Sequence, residues 1–301
     1  MKDIAIIGNG PAGLSAAIYG RRAGRSVVVV SDSPGGGGQI ATTYEVDNYP
    51  GLMGIGGMEL GDKFLEHAKS FEPEFVLGRV TAIRDEGSHK SLVLDNDTTI
   101  AVRAVIIAAG AEHNELKVPG EKELKGMGVS YCATCDGAFF RNRIVAVVGG
   151  GDVALGDALF LSRFASKVIL IHRRDEFRGA RRLQDKVFEA ENIEIMYDTI
   201  VTEIRGKDAV EGIIAQNVKT NEEQEVPVNG VFIAVGIHAG LDGIDGLPER
   251  DEAGYIIADE TCKTSIPGIY AAGDVRTKPL RQVVTAVADG ANAITSIEGI
   301  L

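Results

Sequence analysis

Residues 4–14 read Ile4-Ala5-Ile6-Ile7-Gly8-Asn9-Gly10-Pro11-Ala12-Gly13-Leu14, and residues 144–155 repeat the plan as Ile144-Val145-Ala146-Val147-Val148-Gly149-Gly150-Gly151-Asp152-Val153-Ala154-Leu155. Each stretch carries an apolar strand into a glycine turn and then into a helix-like segment, residues 14–23 and 157–164. The spacing is mechanical. The first glycine (Gly8, Gly149) permits the tight turn, and the second (Gly10, Gly151) lets backbone approach a pyrophosphate. The third position (Gly13, Ala154) lets the helix close on the strand, and the orphan N–H groups at the helix start favour an anion. Two such units in one chain predict an α/β fold of two Rossmann-like dinucleotide-binding domains.

The residues after each turn separate the two sites. The strand at 27–30 ends at Ser31-Asp32, where an acid meets a ribose hydroxyl. The strand at 168–171 instead leads to His172-Arg173-Arg174, with Arg178 about one helical turn later. A carboxylate there repels a 2′-phosphate, whereas guanidinium groups bind it with charge-assisted hydrogen bonds, so the second unit is expected to prefer NADPH. The plainer reading of the same run is a basic helix start on a solvated face, continued by Arg181 and Arg182. Three further apolar segments, 104–108, 231–235 and 269–272, end at Ala109-Gly110, Gly236 and Gly273-Asp274. Ligands gather at such strand ends in doubly wound sheets. Asp274, just upstream of Arg281-Gln282, offers groups for the ribityl-phosphate region and ring of a cofactor. The expected organisation is one discontinuous domain, residues 1–112 with 243–301, and a second, 113–242, inserted into it. The polar stretches 113–117 and 242–246 are the expected hinges.

Composition narrows the function classes. The 301 residues include 38 glycines, about twice the ~7% of average usage, and these follow neither a collagen period nor a proline-rich tract. A net charge of −12 disfavours nucleic acid and anionic lipid. No signal-peptide pattern precedes Ile4, and the apolar runs are strand-sized, far short of the ~20 residues of a membrane helix. A cytoplasmic protein with no membrane or nucleic-acid partner is expected. In that compartment a Cys-x-x-Cys pair is more often catalytic or metal-binding than structural. Cys132-Ala133-Thr134-Cys135-Asp136 is such a pair. Zinc needs further cysteines or histidines at defined spacing, and only Cys262 and five scattered histidines remain, so redox chemistry is favoured and no metal is expected. Cys262 reads as a structural or incidental thiol. Asp136 is the candidate for proton transfer, its plainer role being to cap the following turn.

Taken in order, Gly8–Gly13, Gly37-Gly38-Gln39-Ile40 with Asn48-Tyr49-Pro50-Gly51, the Cys132 segment, His172-Arg173-Arg174 with Arg178, and Ala272-Gly273-Asp274 before Arg281-Gln282 resemble the low-molecular-weight thioredoxin reductases. The resemblance spans essentially the whole chain. It implies FAD in the discontinuous domain, at Gly8, Gly10, Pro11, Ala12, Gly13, Asp32, Gly38, Gln39, Ile40, Asn48, Val80, Gly110, Gly273, Asp274, Arg281, Gln282 and Val283. It implies NADPH in the inserted one, at Gly149, Gly151, Asp152, Val153, Ala154, His172, Arg173, Arg174 and Arg178. It further implies a homodimer, Cys135 facing the flavin, Cys132 attacking the partner and Asp136 as general acid. Electrons then pass from NADPH through FAD and the disulfide to oxidised thioredoxin or a similar redoxin, with the inserted domain rotating about its hinges. Two alternatives are a reductase fed by ferredoxin and a small-molecule dithiol oxidase; the arginines weigh against both. The chain departs from the usual pattern at Val153, where Ser or Thr is common, at Gly156-Asp157 in place of an acidic pair, and at His238-Ala239-Gly240 in place of Pro-Asn.

Overall fold

A computed structural model describes residues 1–42, 46 and 48–299, apart from the side chains of Thr42, Thr134 and Cys135. The first apolar run becomes β1 (Lys2–Ile7), followed by α1 (Pro11–Arg22) and β2 (Val27–Ser31). After α2 (Gly57–Lys69) come β3 (Glu74–Leu77), β4 (Val80–Asp85), β5 (Lys90–Leu94) and β6 (Thr99–Ile107). The chain leaves this unit through β7 (Ala111–His113). It then forms β8 (Val129–Ser130), α3 (Ala133–Asp136), β9 (Ile144–Val148), α4 (Asp152–Leu161), β10 (Lys167–Ile171), α5 (Arg181–Glu189) and β11 (Ile193–Met196). An antiparallel layer of β12 (Thr199–Gly206), β13 (Val210–Asn217) and β14 (Glu223–Pro227) precedes β15 (Gly230–Ile233). The return runs through β16 (Ile237–Ala239), β17 (Ile269–Ala271) and α6 (Val283–Glu298).

Two units result: Met1–Glu112 with His238–Leu301, and His113–Ile237. In the first, a seven-stranded sheet has the order β3-β2-β1-β6-β5-β4, and β17 pairs with the C-terminal part of β6. Strands β1, β2, β3, β6 and β17 run parallel to one another, while β5 pairs antiparallel with both β6 and β4. In the second, β11-β10-β9-β15-β8 is parallel throughout. Parallel strands covered on both faces read as continuous apolar runs. Accordingly Val27 to Val30 and Val145 to Val147 are at most 2% exposed. Alternate residues feed separate cores: Ala5 and Val28 pack with Leu92 and Ile256 on one face of the first sheet, Ile4 and Val29 with Ala16 and Ile294 on the other.

The expected return point at 242/243 is corrected. The chain re-enters the first unit at His238, because Ala239 and Leu241 are buried in that unit's core. Nor is 242–246 a free hinge: Asp245 N–H donates to Thr81 O at 2.9 Å and Ile83 N–H to Asp245 O at 2.9 Å, fastening the stretch to β4. The crossings are β7 and β16, which pair with one another. No helix among the described residues is long and apolar enough to cross a membrane.

Candidate cofactor sites and redox segment

In the first unit, the turn between β1 and α1 is shaped by what a side chain would strike. Gly8 holds φ +105°, and a Cβ there would meet the carbonyl of Ala108. At Gly13 a Cβ would meet the Gly8 carbonyl, whereas at Gly10 nothing lies closer than 3.9 Å, leaving a cradle beside the helix start. Pro11 occupies the first helical position, where its missing N–H is no loss. No side chain caps α1 and no acid lies in its first turn, so its N–H groups are left for an anion. Asn9, which sequence reasoning used only as motif filler, is 7% exposed and donates to the carbonyls of Ser33 (2.9 Å) and Gly35 (2.5 Å). It fixes the loop after β2, where Asp32 stands exposed just beyond the strand.

Other expected FAD residues converge on the same unit. Gln39 Nε2 donates to Ala111 O, and Asn48 Nδ2 donates to Gln282 Oε1 at 2.7 Å. Gln282 caps α6, whose first residue is Val283. Arg281 lies over the Tyr255 ring, 3.9 Å from its centre, and its Nε donates to Asp274 O at 3.3 Å. Gly38 and Gly110 take positive φ, and Ile40 is buried beside Leu60. Val80 differs in kind: its side chain is in the core, so only its backbone is open to a ligand. The decisive fit to a nucleotide cofactor is Asp274, whose Oδ1 is buried with no hydrogen-bond partner. An orphaned acceptor of this kind normally has a partner, and the ribityl hydroxyls of FAD supply donors.

The second turn obeys the same rule. At Gly149 a Cβ would strike Ala234 O and at Gly150 the His172 ring, while Gly151 faces open space. His172 Nε2 lies 3.0 Å from Glu176 O, and the ring is 6% exposed. The ring thus props the turn from beneath. Burial and the guanidiniums of Arg174, Arg173 and Arg178 hold its pKa below the ordinary value, with the Glu176 carbonyl opposing. Those three arginines are exposed and make no ion pair among the described residues, unlike Arg181, which pairs with Asp185 at 3.0 Å. Arg178 N–H and Gly179 N–H donate to Gly150 O at 2.8 and 3.1 Å, binding the arginine loop to the glycine turn. Asp152, exposed at the helix start, accepts the Ala180 N–H on Oδ1 at 2.6 Å. Val153 is 66% exposed at the helix start, and Ala154 is fully buried against the strand.

Cys132 is disulfide-bonded and half-buried, whereas Cys262 is a buried free thiol. The side chain of Cys135 lies outside the described residues. Cys132 N–H donates to Ser130 Oγ at 3.0 Å, and Cys132 O accepts the Asp136 N–H at 3.2 Å, which closes the short helix α3. Asp136 caps nothing with its side chain, so the capping role drops away. Glu121, unmarked in the sequence, is 1% exposed. It accepts the Tyr131 hydroxyl at 2.7 Å and the N–H groups of Leu116 (2.8 Å) and Lys117 (2.6 Å), tying the residue before Cys132 to the segment that enters this unit. No metal-binding cluster occurs among the described residues.

The family model for pyridine nucleotide-disulphide oxidoreductases matches residues 2–290. The chain belongs to that family. It is 45% identical over 289 residues to a thioredoxin reductase of Listeria innocua, covering 96% of this chain and 90% of the relative. It is 43% identical over 297 residues to one of Bacillus subtilis, covering 98% and 93%. Among solved structures it resembles the Lactococcus lactis thioredoxin reductase in its FR conformation, with a TM-score of 0.85 and 41% identity over 99% of this chain and 98% of that one.

Within this family setting α4 carries a departure with a measurable consequence. Burial pushes the Asp157 carboxyl up to about 7. From the ordinary carboxylate range up to that value the folded chain holds the proton more tightly than the unfolded one, so stability falls as pH rises through the window. Asp157→Asn removes that loss. It is expected to stabilise the protein by roughly 2–4 kcal/mol at pH 8 and by almost nothing at pH 4, a shift of about 3 pKa units setting the upper bound. Thermal melts at the two pH values check this, and an equal effect at both would refute it.

Proposed function

We propose that this chain is a thioredoxin reductase, passing electrons from NADPH to the disulfide of oxidised thioredoxin or a close redoxin. The observation that carries the reading is that the disulfide-bonded Cys132 and an arginine-flanked nucleotide turn belong to one unit, while a second nucleotide turn with an orphaned carboxylate belongs to the other. FAD, when bound, accepts two electrons from the nicotinamide and delivers them to the disulfide. The chain's own residues do the rest. Gly10 and the start of α1 receive the pyrophosphate, Asp274 accepts from the ribityl chain, and Asp32 accepts from the adenosine ribose. Gly151 admits the NADPH pyrophosphate, and Arg173, Arg174 and Arg178 take its 2′-phosphate. Two electrons and two protons convert the Cys132–Cys135 disulfide to thiols, and the Cys132 thiolate then attacks the thioredoxin disulfide. Asp136 supplies the proton that the leaving thiolate needs.

The proposal extends to a homodimer in the cytoplasm, where a dithiol cycle meets a reducing pool. It also extends to turning of the inserted unit about β7 and β16, which presents nicotinamide and disulfide in succession. Anaerobic titration tests the reading. FAD and the disulfide together take up about two equivalents of NADPH per flavin, and the Cys132→Ser protein about one. Bleaching by reduced ferredoxin but not NADPH would move the chain to the ferredoxin-linked alternative.

A further inference from the structure

Beneath the turn that comes after β17 lies a charged cluster that no step of the electron path uses. Arg276 is the largest fully buried side chain, at 2% exposure, and it grips Asp289 of α6 by two hydrogen bonds, Nε to Oδ2 at 2.8 Å and Nη2 to Oδ1 at 2.9 Å. Lys278, 4% exposed along its side chain, donates to the same Oδ2 at 2.8 Å. Glu260 approaches Arg276 at 3.7 Å but is a surface group, 87% exposed. One buried carboxylate thus faces two buried cations. Such a set is poor packing, because each buried ion carries a desolvation cost that an apolar trio filling the same space would not.

The same Oδ2 also accepts the N–H of Gly273 at 2.9 Å. Gly273 holds φ +80°, and a Cβ there would press to 2.9 Å on Ala12 of the first nucleotide turn. The next residue is Asp274, with its orphaned Oδ1. We propose that Asp289, with Arg276 and Lys278, positions the Gly273–Asp274 turn for the flavin nucleotide, and that Lys278, bonded to Asp289 Oδ2, keeps that oxygen an acceptor for the Gly273 N–H. This rests on the reading of the chain as an FAD-binding reductase. The Asp274 carboxyl sits above its ordinary value: burial, the largest influence, pushes it up and Asp289 adds weakly, while Lys278 and then Arg281 pull it down. Asp289 itself is held below the usual range: its hydrogen bonds from Arg276, Lys278 and Gly273 outweigh the opposing effect of burial, so it stays an acceptor.

The test is FAD binding to FAD-free protein, monitored by quenching of flavin fluorescence between about pH 5 and 8, with far-UV circular dichroism as the fold control. Asp289→Asn is expected to raise the FAD Kd roughly tenfold or more at pH 7.5, by loss of a charged hydrogen bond. Lys278→Met leaves Asp289 paired with Arg276. Its Kd is expected to rise a few-fold at pH 7.5 and then to climb, as pH falls, from a higher pH than in the wild type, while Lys278→Arg restores the wild-type curve. A merely structural lysine would not move that pH profile. If Asp289→Asn does not fold, Lys278→Met decides alone. Folded Lys278→Met protein with the wild-type Kd and profile would overturn the proposal. Wild-type protein that takes up no FAD at any pH would instead refute the functional reading beneath it.

Discussion

Cys132→Ser is expected to lose thioredoxin turnover by about three orders of magnitude or more, since no other residue replaces an attacking thiolate. The loss alone says little, because Cys135→Ser is expected to be as inactive. The spectra separate the two. With Cys132 gone, the Cys135 thiolate is left to donate charge to oxidised flavin, giving a broad long-wavelength absorbance band. With Cys135 gone, Cys132 faces the partner and the band is absent. The assignment of the two sulfurs derives from the family pattern; Cys262, a buried free thiol that burial pushes up to about 12, is far from a reactive thiolate. Identical spectra from both variants would overturn it.

The second large effect is in coenzyme choice. Arg173, Arg174 and Arg178 are exposed, have no carboxylate partner among the described residues, and cluster around His172 beside the second glycine turn. Guanidiniums without partners at a nucleotide turn await an anion. Each charged hydrogen bond to a 2′-phosphate contributes about 1.5–3 kcal/mol, so each Arg→Ala change should raise the NADPH KM roughly tenfold or more. NADH, which lacks that phosphate, should be nearly unaffected, and kcat at saturation should hold. Steady-state kinetics with both coenzymes checks this. Equal losses for NADPH and NADH would mean the arginines support folding.

Much of this architecture was legible in the sequence because the glycine turns are backbone chemistry. Gly8, Gly13 and Gly149 stand where any Cβ would strike a carbonyl, and that requirement is written directly in residue identity. Strand identity was equally plain, since sheets buried on both faces leave unbroken runs such as Val27 to Val30. What could not be read depends on contacts made far along the chain. Asp289 looks like a stray acid in an apolar helix, and only the packing of α6 brings it to Gly273 and Arg276. The bond that Asp152 makes to Ala180, well beyond the turn, leaves no mark in the motif. The burial of the His172 ring under Gly150 is likewise invisible in the run of basic residues that contains it. The return to the first unit was misplaced because polar residues 242–246 look like a linker, while backbone bonds to β4 leave no trace in composition.

Electrons from NADPH are proposed to leave this protein through Cys132 to thioredoxin. The most direct measurement traps that transfer: protein reduced anaerobically with NADPH is mixed with thioredoxin whose second redox cysteine is serine and whose first is capped with a chromophoric thiol. The wild-type protein is expected to release the chromophore only when NADPH is supplied, because Cys135 resolves the mixed disulfide, and the Cys135→Ser protein, which lacks that resolving thiol, is expected to retain a covalent adduct with thioredoxin mapped by peptide mass to Cys132. Flavin reduction by NADPH without release of the chromophore, or an adduct of the Cys135→Ser protein on Cys262, would overturn this route.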